Sequence, residues 1–323
     1  MTEQTILEFQ PMEPAAPAPF GAEEARRHFS RIGFALLAMA LLHQFGGGIA
    51  AVLLGDALSS TWLQPVVSSL PLYLLGLPAL LRILRKLEPL PPPVQEQRRV
   101  SPGMVLLLAF ACYGAGIALN LAGKGLYGVL SAMKGSEVTD PLQGFLKDSS
   151  PGMVLLLTLM VAPLLEEYVF RGVLLKYVGA FGAKTYILFS AFTFALFHAN
   201  LAQIPYTFVM GMVLAALTYY TGTIKYAVAA HLTVNFLGGG VSVIVRQFGS
   251  ETVTAVFSCA ALAIAGLGVI AGLAGGILLL AKRRKIAFQP PALQIPRGTA
   301  YRSGGVIWFT IVLGLFTVAV LLL

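Results

Sequence analysis

Apolar residues run along the chain in long blocks divided by short polar or Pro-rich seams. Past Arg31 the blocks lie at about 32–54, 63–84, 103–122, 152–175, 185–200, 204–221, 226–246, 253–281 and 305–323. Most hold the roughly 20 apolar residues that a helix rising 1.5 Å per residue needs to cross a bilayer core about 30 Å thick. The fifth and sixth are short and the eighth is long, so neighbouring segments are re-entrant or tilted in some arrangements. The pattern predicts an all-α fold, a polytopic transmembrane helical bundle of eight or nine spans.

Composition points the same way. Of 323 residues, 57% are hydrophobic and 11% charged, with a mean hydropathy of +0.80, whereas soluble domains carry about a quarter charged residues. An ordinary soluble enzyme is excluded. Residues 1–30 are acidic and Pro/Ala-rich (Glu3, Glu8, Glu13, PAAPAP, Glu23, Glu24) and lack the basic-then-apolar order of a signal peptide, which predicts a disordered tail. The net charge of +8 comes from basic residues at the ends of the apolar blocks, not along one soluble face. That placement marks the lipid bilayer as partner and no nucleic acid. With nine spans and an internal N-terminus, 18 of the 22 Lys and Arg fall on the cytoplasmic side, and only Lys124, Lys134, Lys147 and Arg246 on the other. The N-terminus is therefore expected to be cytoplasmic, and the Ala/Gly/Leu-rich composition reads as a multi-pass protein of a bacterial plasma membrane.

Smaller features complete the organisation. Pro-rich stretches at 89–93 and 290–296 read as cytoplasmic linkers after spans two and eight. Gly268, Gly272 and Gly276, four apart, let a neighbouring helix approach span eight. Cys112 and Cys259 lie inside apolar runs and read as buried packing residues, too few for a disulfide framework or a Cys-based zinc site. No internal repeat is read along the chain, which tells against a transporter of inverted halves.

Polar groups inside the spans carry the chemistry, because an ionisable side chain in mid-membrane costs about 2.5–3.5 kcal/mol on insertion scales. Span four contains LLEEYVFRG. Glu167 and Arg171 are four apart with the acid first, the favourable order for an ion pair. Glu166 points about 100° away and is left spare. Pro163 frees a carbonyl one turn earlier. Span five ends FTFALFHAN, with Phe194 and His198 on one face, and span seven opens KYAVAAHLTVNF, with His231 and Asn235 on one face. Each motif alone has a structural alternative: an ion-pair cluster, a packing histidine, a helix-bridging hydrogen bond. At 1.5 Å per residue Glu166, His231 and Asn235 lie about 8–14 Å below the cytoplasmic boundary and His198 near 20 Å, close enough to share one pocket with tilt.

A carboxylate, two imidazoles and a carboxamide, with no Ser or Cys set beside a base, suit water activation for amide hydrolysis. Glu166 is the candidate base, His198 the holder of the water, and His231 with Asn235 the oxyanion donors. Zinc could use the same glutamate and histidines, but no HExxH or compact ligand pair is present, so the expectation is no cofactor with zinc as the alternative.

Glu166-Glu167-x-x-x-Arg171, Phe194-x-x-x-His198 and His231-x-x-x-Asn235, in that order on successive spans, resemble the three motifs of the CPBP family, the type II CAAX prenyl proteases and bacteriocin-processing or Abi-type membrane proteins. The resemblance covers about residues 150–240. It implies an intramembrane endopeptidase in which Glu166 and His198 activate water, His231 and Asn235 form the oxyanion hole, and Glu167, Arg171 and Phe194 support them. Members are often labelled metallopeptidases, while the mechanism favoured for the eukaryotic-type enzymes is metal-free. The implied partner is a peptide or membrane-protein substrate, lipidated in the CAAX case. The expected organisation is a disordered cytoplasmic tail at 1–30, N-terminal transmembrane helices at 31–130, a catalytic CPBP-type core at 150–246 and C-terminal transmembrane helices at 253–323. The competing class is a non-enzymatic membrane peptide-binding or immunity protein on the same scaffold.

Overall fold

Each apolar block becomes a helix, because lipid offers no partner for backbone N–H and C=O groups and a helix satisfies them internally. The computed structural model describes residues 18–55, 60–92, 99–140, 142, 149–281 and 291–322. Among these are nine helices: α1 (Ala22–Leu54), α2 (Leu63–Leu84), α3 (Pro102–Lys134), α4 (Pro151–Phe181), α5 (Ala183–Phe197), α6 (Gln203–Thr221), α7 (225–248), α8 (Glu251–Ala281) and α9 (Gly304–Leu322). Eight are long and apolar enough to cross a membrane, and α5, at 15 residues, is the short one. The protein is an all-α multi-pass bundle.

Local chemistry sets the ends. Ser101 caps α3 by accepting from the Met104 N–H, and Ser150 caps α4 by accepting from the Met153 N–H, each followed by a proline at the first helical position. These caps open an identical octapeptide, SPGMVLLL, at 101–108 and 150–157. The chain therefore does hold a short repeat, contrary to the reading above; its common element is a helix start, not a pair of folded halves. α3 runs on past the expected end near 122 and stops at Gly135, whose φ of +70° lets its N–H return to the Ser131 carbonyl. Gly182, at φ +89°, makes the tight corner between α4 and α5.

The N-terminal tail is shorter than its composition predicts. Residues 1–17 lie outside the described residues, but 18–30 are built into the fold. Ala18–Pro19 pairs in parallel with Leu293–Gln294 as a two-stranded ladder, and α1 begins at Ala22. The cause is apolar spacing within the acidic stretch. Ala25, Phe29 and Ile32 share a face and are fully buried, with the Phe29 ring 5.1 Å from Phe181 and 5.3 Å from Phe189. The Pro-rich stretches are pinned where they are described: Leu90 donates to the Lys176 carbonyl and accepts from the Ala180 N–H, which holds the α2–α3 connection against the end of α4.

α5 packs along α6, α3 along α6 and α8, and α1 along α2 and α9, so that α4 to α7 form the middle of the bundle. Small residues set the closest crossings. A Cβ on Gly268 would stand 2.6 Å from the Phe110 carbonyl oxygen of α3, and one on Gly305 of α9 would collide with the Ser30 backbone of α1. Gly268 thus takes the predicted packing role, while the surroundings of Gly272 and Gly276 lie outside those described. Cys112 is buried as expected. Cys259 is exposed on α8 and is no core residue, because an apolar run reads the same whether it faces lipid or protein.

Candidate active site

The acids sit where α4 departs from regular helix. Leu157–Val161 and Glu167–Val173 are wide π-helical turns, with one α-helical turn, Ala162–Glu166, between them. Pro163 starts that middle turn and brings no N–H to it. Wide turns leave carbonyls for other partners, and α5 supplies two of them: Ser190 Oγ donates to the Phe170 carbonyl at 2.6 Å and Tyr186 Oη to the Arg171 carbonyl at 3.0 Å. Tyr186 and Ser190 are four apart, one turn below Phe194, so a single face of α5 clamps the distorted turn.

Glu167 and Arg171 are completely buried and pair at 3.1 Å, Oε1 to Nη1, as their spacing predicts. The guanidinium lies 4.1 Å from the centre of the Phe194 ring, a cation–π contact that uses the ring face. His198 and His231 meet the same ring edge-on, at centroid distances of 4.8 and 5.9 Å. Phe194, itself fully buried, is the hub on which the three motifs converge.

His231 closes the cluster. Its Nδ1 donates to Glu167 Oε1 at 2.8 Å, and its Nε2 stands 3.7 Å from Glu166 Oε2. The hydrogen bond sets the tautomer and aims Nε2 at the second acid, as second-shell carboxylates do for imidazoles generally. This bridge between the two carboxylates was not legible from spacing. Glu166 lies outside the Arg171 pair, with 18% of its side chain exposed. His198 donates from Nδ1 to the Phe194 carbonyl at 2.9 Å, which leaves Nε2 as its acceptor, and it is in Coulombic reach of Glu166 and His231. Asn235 follows His231 by one turn, half-buried, at the junction of the α-helical and π-helical parts of α7.

His198 ends α5 and is followed by Ala199 at φ +45°, the one non-glycine among the described residues with positive φ. Strain of this kind needs support from its surroundings. Asn200, buried next to it, accepts from the N–H groups of Ala202 and Gln203 and donates to buried Asp140 at 2.7 Å. Asp140 and Asn200 were missed by sequence reasoning, since both read as loop residues.

Glu166 also borders a narrow apolar cleft of about 10 Å³ between Met39 of α1, Leu72 and Leu77 of α2, Leu165, Val169 and Phe170 of α4, and Phe197 of α5. Three further side chains are in Coulombic reach of Glu166 from outside the motifs, His43 on α1, Tyr73 on α2 and Tyr206 on α6. The criterion of an expensive polar group in an apolar helix selects His43 as readily as His198. No three His, Cys, Asp or Glu side chains among the described residues stand together as a metal ligand set, and His231 turns both ring nitrogens toward carboxylates. No step is therefore drawn through a metal.

Residues 148–237 match the family model described as type II CAAX prenyl endopeptidase Rce1-like. The match takes in α4, α5, α6 and α7 as far as Leu237, under a third of the chain, and agrees with the CPBP resemblance of the motifs. No curated protein and no solved structure matches the chain. Fold and site define a multi-pass membrane protein whose residues 148–237 are similar to the type II CAAX prenyl endopeptidase Rce1-like family.

Proposed function

We propose that the protein is an intramembrane endopeptidase that hydrolyses a peptide bond of a membrane-associated or lipidated peptide by glutamate-activated water. Residues 150–246 form its catalytic core, in a bacterial plasma membrane with the N-terminus cytoplasmic. The observation that carries the reading is the division of labour between adjacent acids: Glu167 is paired with Arg171 and hydrogen-bonded by His231, while Glu166 lies outside that pair, partly exposed, with His231 Nε2 3.7 Å away.

The chemistry follows from that arrangement. Water loses a proton to Glu166 as its oxygen attacks the scissile carbonyl carbon, with His198 Nε2 accepting the water's other hydrogen bond. The electron pair of the carbonyl moves to oxygen, where the Asn235 amide and His231 stabilise the oxyanion. Collapse breaks the C–N bond, and the leaving nitrogen takes the proton from Glu166. Glu167 orients His231, and Arg171, held over Phe194, pairs with that acid.

The test compares membrane-protein termini in the native host carrying wild type or Glu166→Gln at equal abundance, read by mass spectrometry of protein ends. New termini that require Glu166 are the expected result and name the substrates. Identical termini with both proteins folded and expressed would overturn the protease reading in favour of peptide binding without cleavage.

A further inference from the structure

The turn that carries the chain out of α5 at His198 is strained, and it is held from outside the segment that matches the protease family. Ala199, the residue after His198, has a φ of +45°. Such backbone costs about 1–3 kcal/mol and persists only where its surroundings leave no alternative. Asn200 supplies them: its Oδ1 accepts from the Ala202 and Gln203 N–H groups, and its Nδ2 donates to Asp140 Oδ1 at 2.7 Å. Asp140 lies on the α3–α4 connection, ahead of residue 148 where the family match begins. Both side chains are buried, and Asp140 Oδ1 takes a second bond from the Leu142 N–H at 3.1 Å. The connection is itself pinned: the Val138 N–H donates to Ser131 Oγ at 2.9 Å, Ser131 Oγ donates to the Tyr127 carbonyl at 2.8 Å, and Val138 packs with Tyr127 and Ala202. A Cβ on Gly123 of α3 would stand 2.8 Å from Ala202 Cα, so α3 grips the same turn. Capping α6 needs only the Asn200 oxygen. The bond from its nitrogen to a buried acid adds nothing to that cap; it fixes how the carboxamide, and the turn bonded to it, is oriented.

Resting on the protease reading above, we propose that Asp140 is a positioning residue: through Asn200 it locks the Ala199 turn and so sets where the His198 imidazole stands in the site. The Nδ1 bond to the Phe194 carbonyl ties the ring to its own helix; Asp140 fixes the end of the helix on which that ring sits. Asp140 touches neither water nor substrate and exchanges no proton. The family-like core thus depends on a connection outside it to place one of its catalytic groups.

The experiment uses the full chain in host membranes and measures the rate at which wild-type-dependent termini form per molecule of folded protein. A second reading takes nitrogen NMR of detergent-solubilised protein with isotope-labelled histidine; the chain has four histidines, and the His198 ring signals are those lost in His198→Gln. Asp140→Ala should lower the rate per folded molecule between about 10- and 100-fold, since a reacting group misplaced by about 1 Å costs about 100-fold. It should also move the His198 signals and leave those of His28 on α1 in place. Asp140→Asn, which keeps an oxygen for the Asn200 amide, should recover most of the rate and the wild-type signals. A role in stability alone would lower the amount of folded protein and leave the rate per molecule and the His198 signals unchanged, and that result overturns the proposal; so does an Asp140→Asn protein as slow as Asp140→Ala. Where the alanine protein does not accumulate, Asp140→Ser, polar but too short to reach Asn200, is set against Asp140→Asn: slower cutting by the serine supports the role, and equal rates overturn it. Failure of the underlying reading looks different. Wild type and Glu166→Gln would then cut alike, whereas loss of this inference alone leaves Glu166→Gln inactive beside an Asp140→Ala protein cutting at the full rate per molecule.

Discussion

Consider what happens when Glu167 is made neutral without a change of shape. In Glu167→Gln the Arg171 guanidinium, fully buried, loses the carboxylate 3.1 Å away, and His231 loses the charged acceptor of its 2.8 Å hydrogen bond. Breaking a buried ion pair by removing one partner costs about 3–5 kcal/mol, because the survivor remains uncompensated in low dielectric. Against a total stability of about 5–15 kcal/mol this is a large fraction. At about 2 °C per kcal/mol, the low end for large domains, the apparent Tm falls about 6–10 °C. Phe194 softens the loss by only a little, since a cation–π contact contributes about 2 kcal/mol when desolvated and is already present in the wild type. Arg171→Met alone should cost less than Glu167→Gln, because Glu167 still accepts the hydrogen bond from His231 Nδ1. The double variant Glu167→Gln with Arg171→Met removes both charges at similar volume and should recover most of the Tm. The assay is thermal unfolding of detergent-solubilised protein followed by size-exclusion chromatography, with membrane abundance as a second reading. A wild-type Tm for Glu167→Gln, or a double variant no better than the single one, would refute the assignment of Glu167 and Arg171 as mutually neutralising partners.

Two further outcomes test the neighbouring elements. Asn235→Ala should lower kcat by about 10²–10³ with little change in KM, the cost of one oxyanion donor, and unchanged turnover removes that role. Asn200→Ala strips the cap from α6 and leaves Asp140 with the Leu142 N–H but without the Asn200 amide, which should cost about 2–4 kcal/mol in thermal unfolding from the two losses together; a Tm equal to wild type would show that the strained Ala199 is held by something else.

Hydrophobic length alone marked all nine helices to within a few residues at most ends, because lipid permits one backbone solution and its length requirement is coarse. The exceptions are instructive. α3 and α4 run on beyond their apolar blocks, and α1 starts inside an acidic stretch, because burial of Phe29 against Phe181 and Phe189 outweighs the polar look of the segment. Spacing four apart likewise announced the Glu167–Arg171 pair, which needs only one helix.

What spacing cannot hold is anything made by two helices. The bridge of His231 between two acids, the Phe194 ring with Arg171 on its face and two imidazoles at its edge, the clamp from Tyr186 and Ser190, and the arrival of His43 beside Phe197 all join positions far apart in the chain. The sequence by itself determined a multi-pass helical bundle and the positions of the polar residues within its spans, since both follow from side-chain type and local periodicity. Only the tertiary structure decided that His231 stands between the two carboxylates and that Arg171 and both imidazoles gather on the Phe194 ring, because that depends on distances between helices, over which Coulomb and hydrogen-bond energies change steeply.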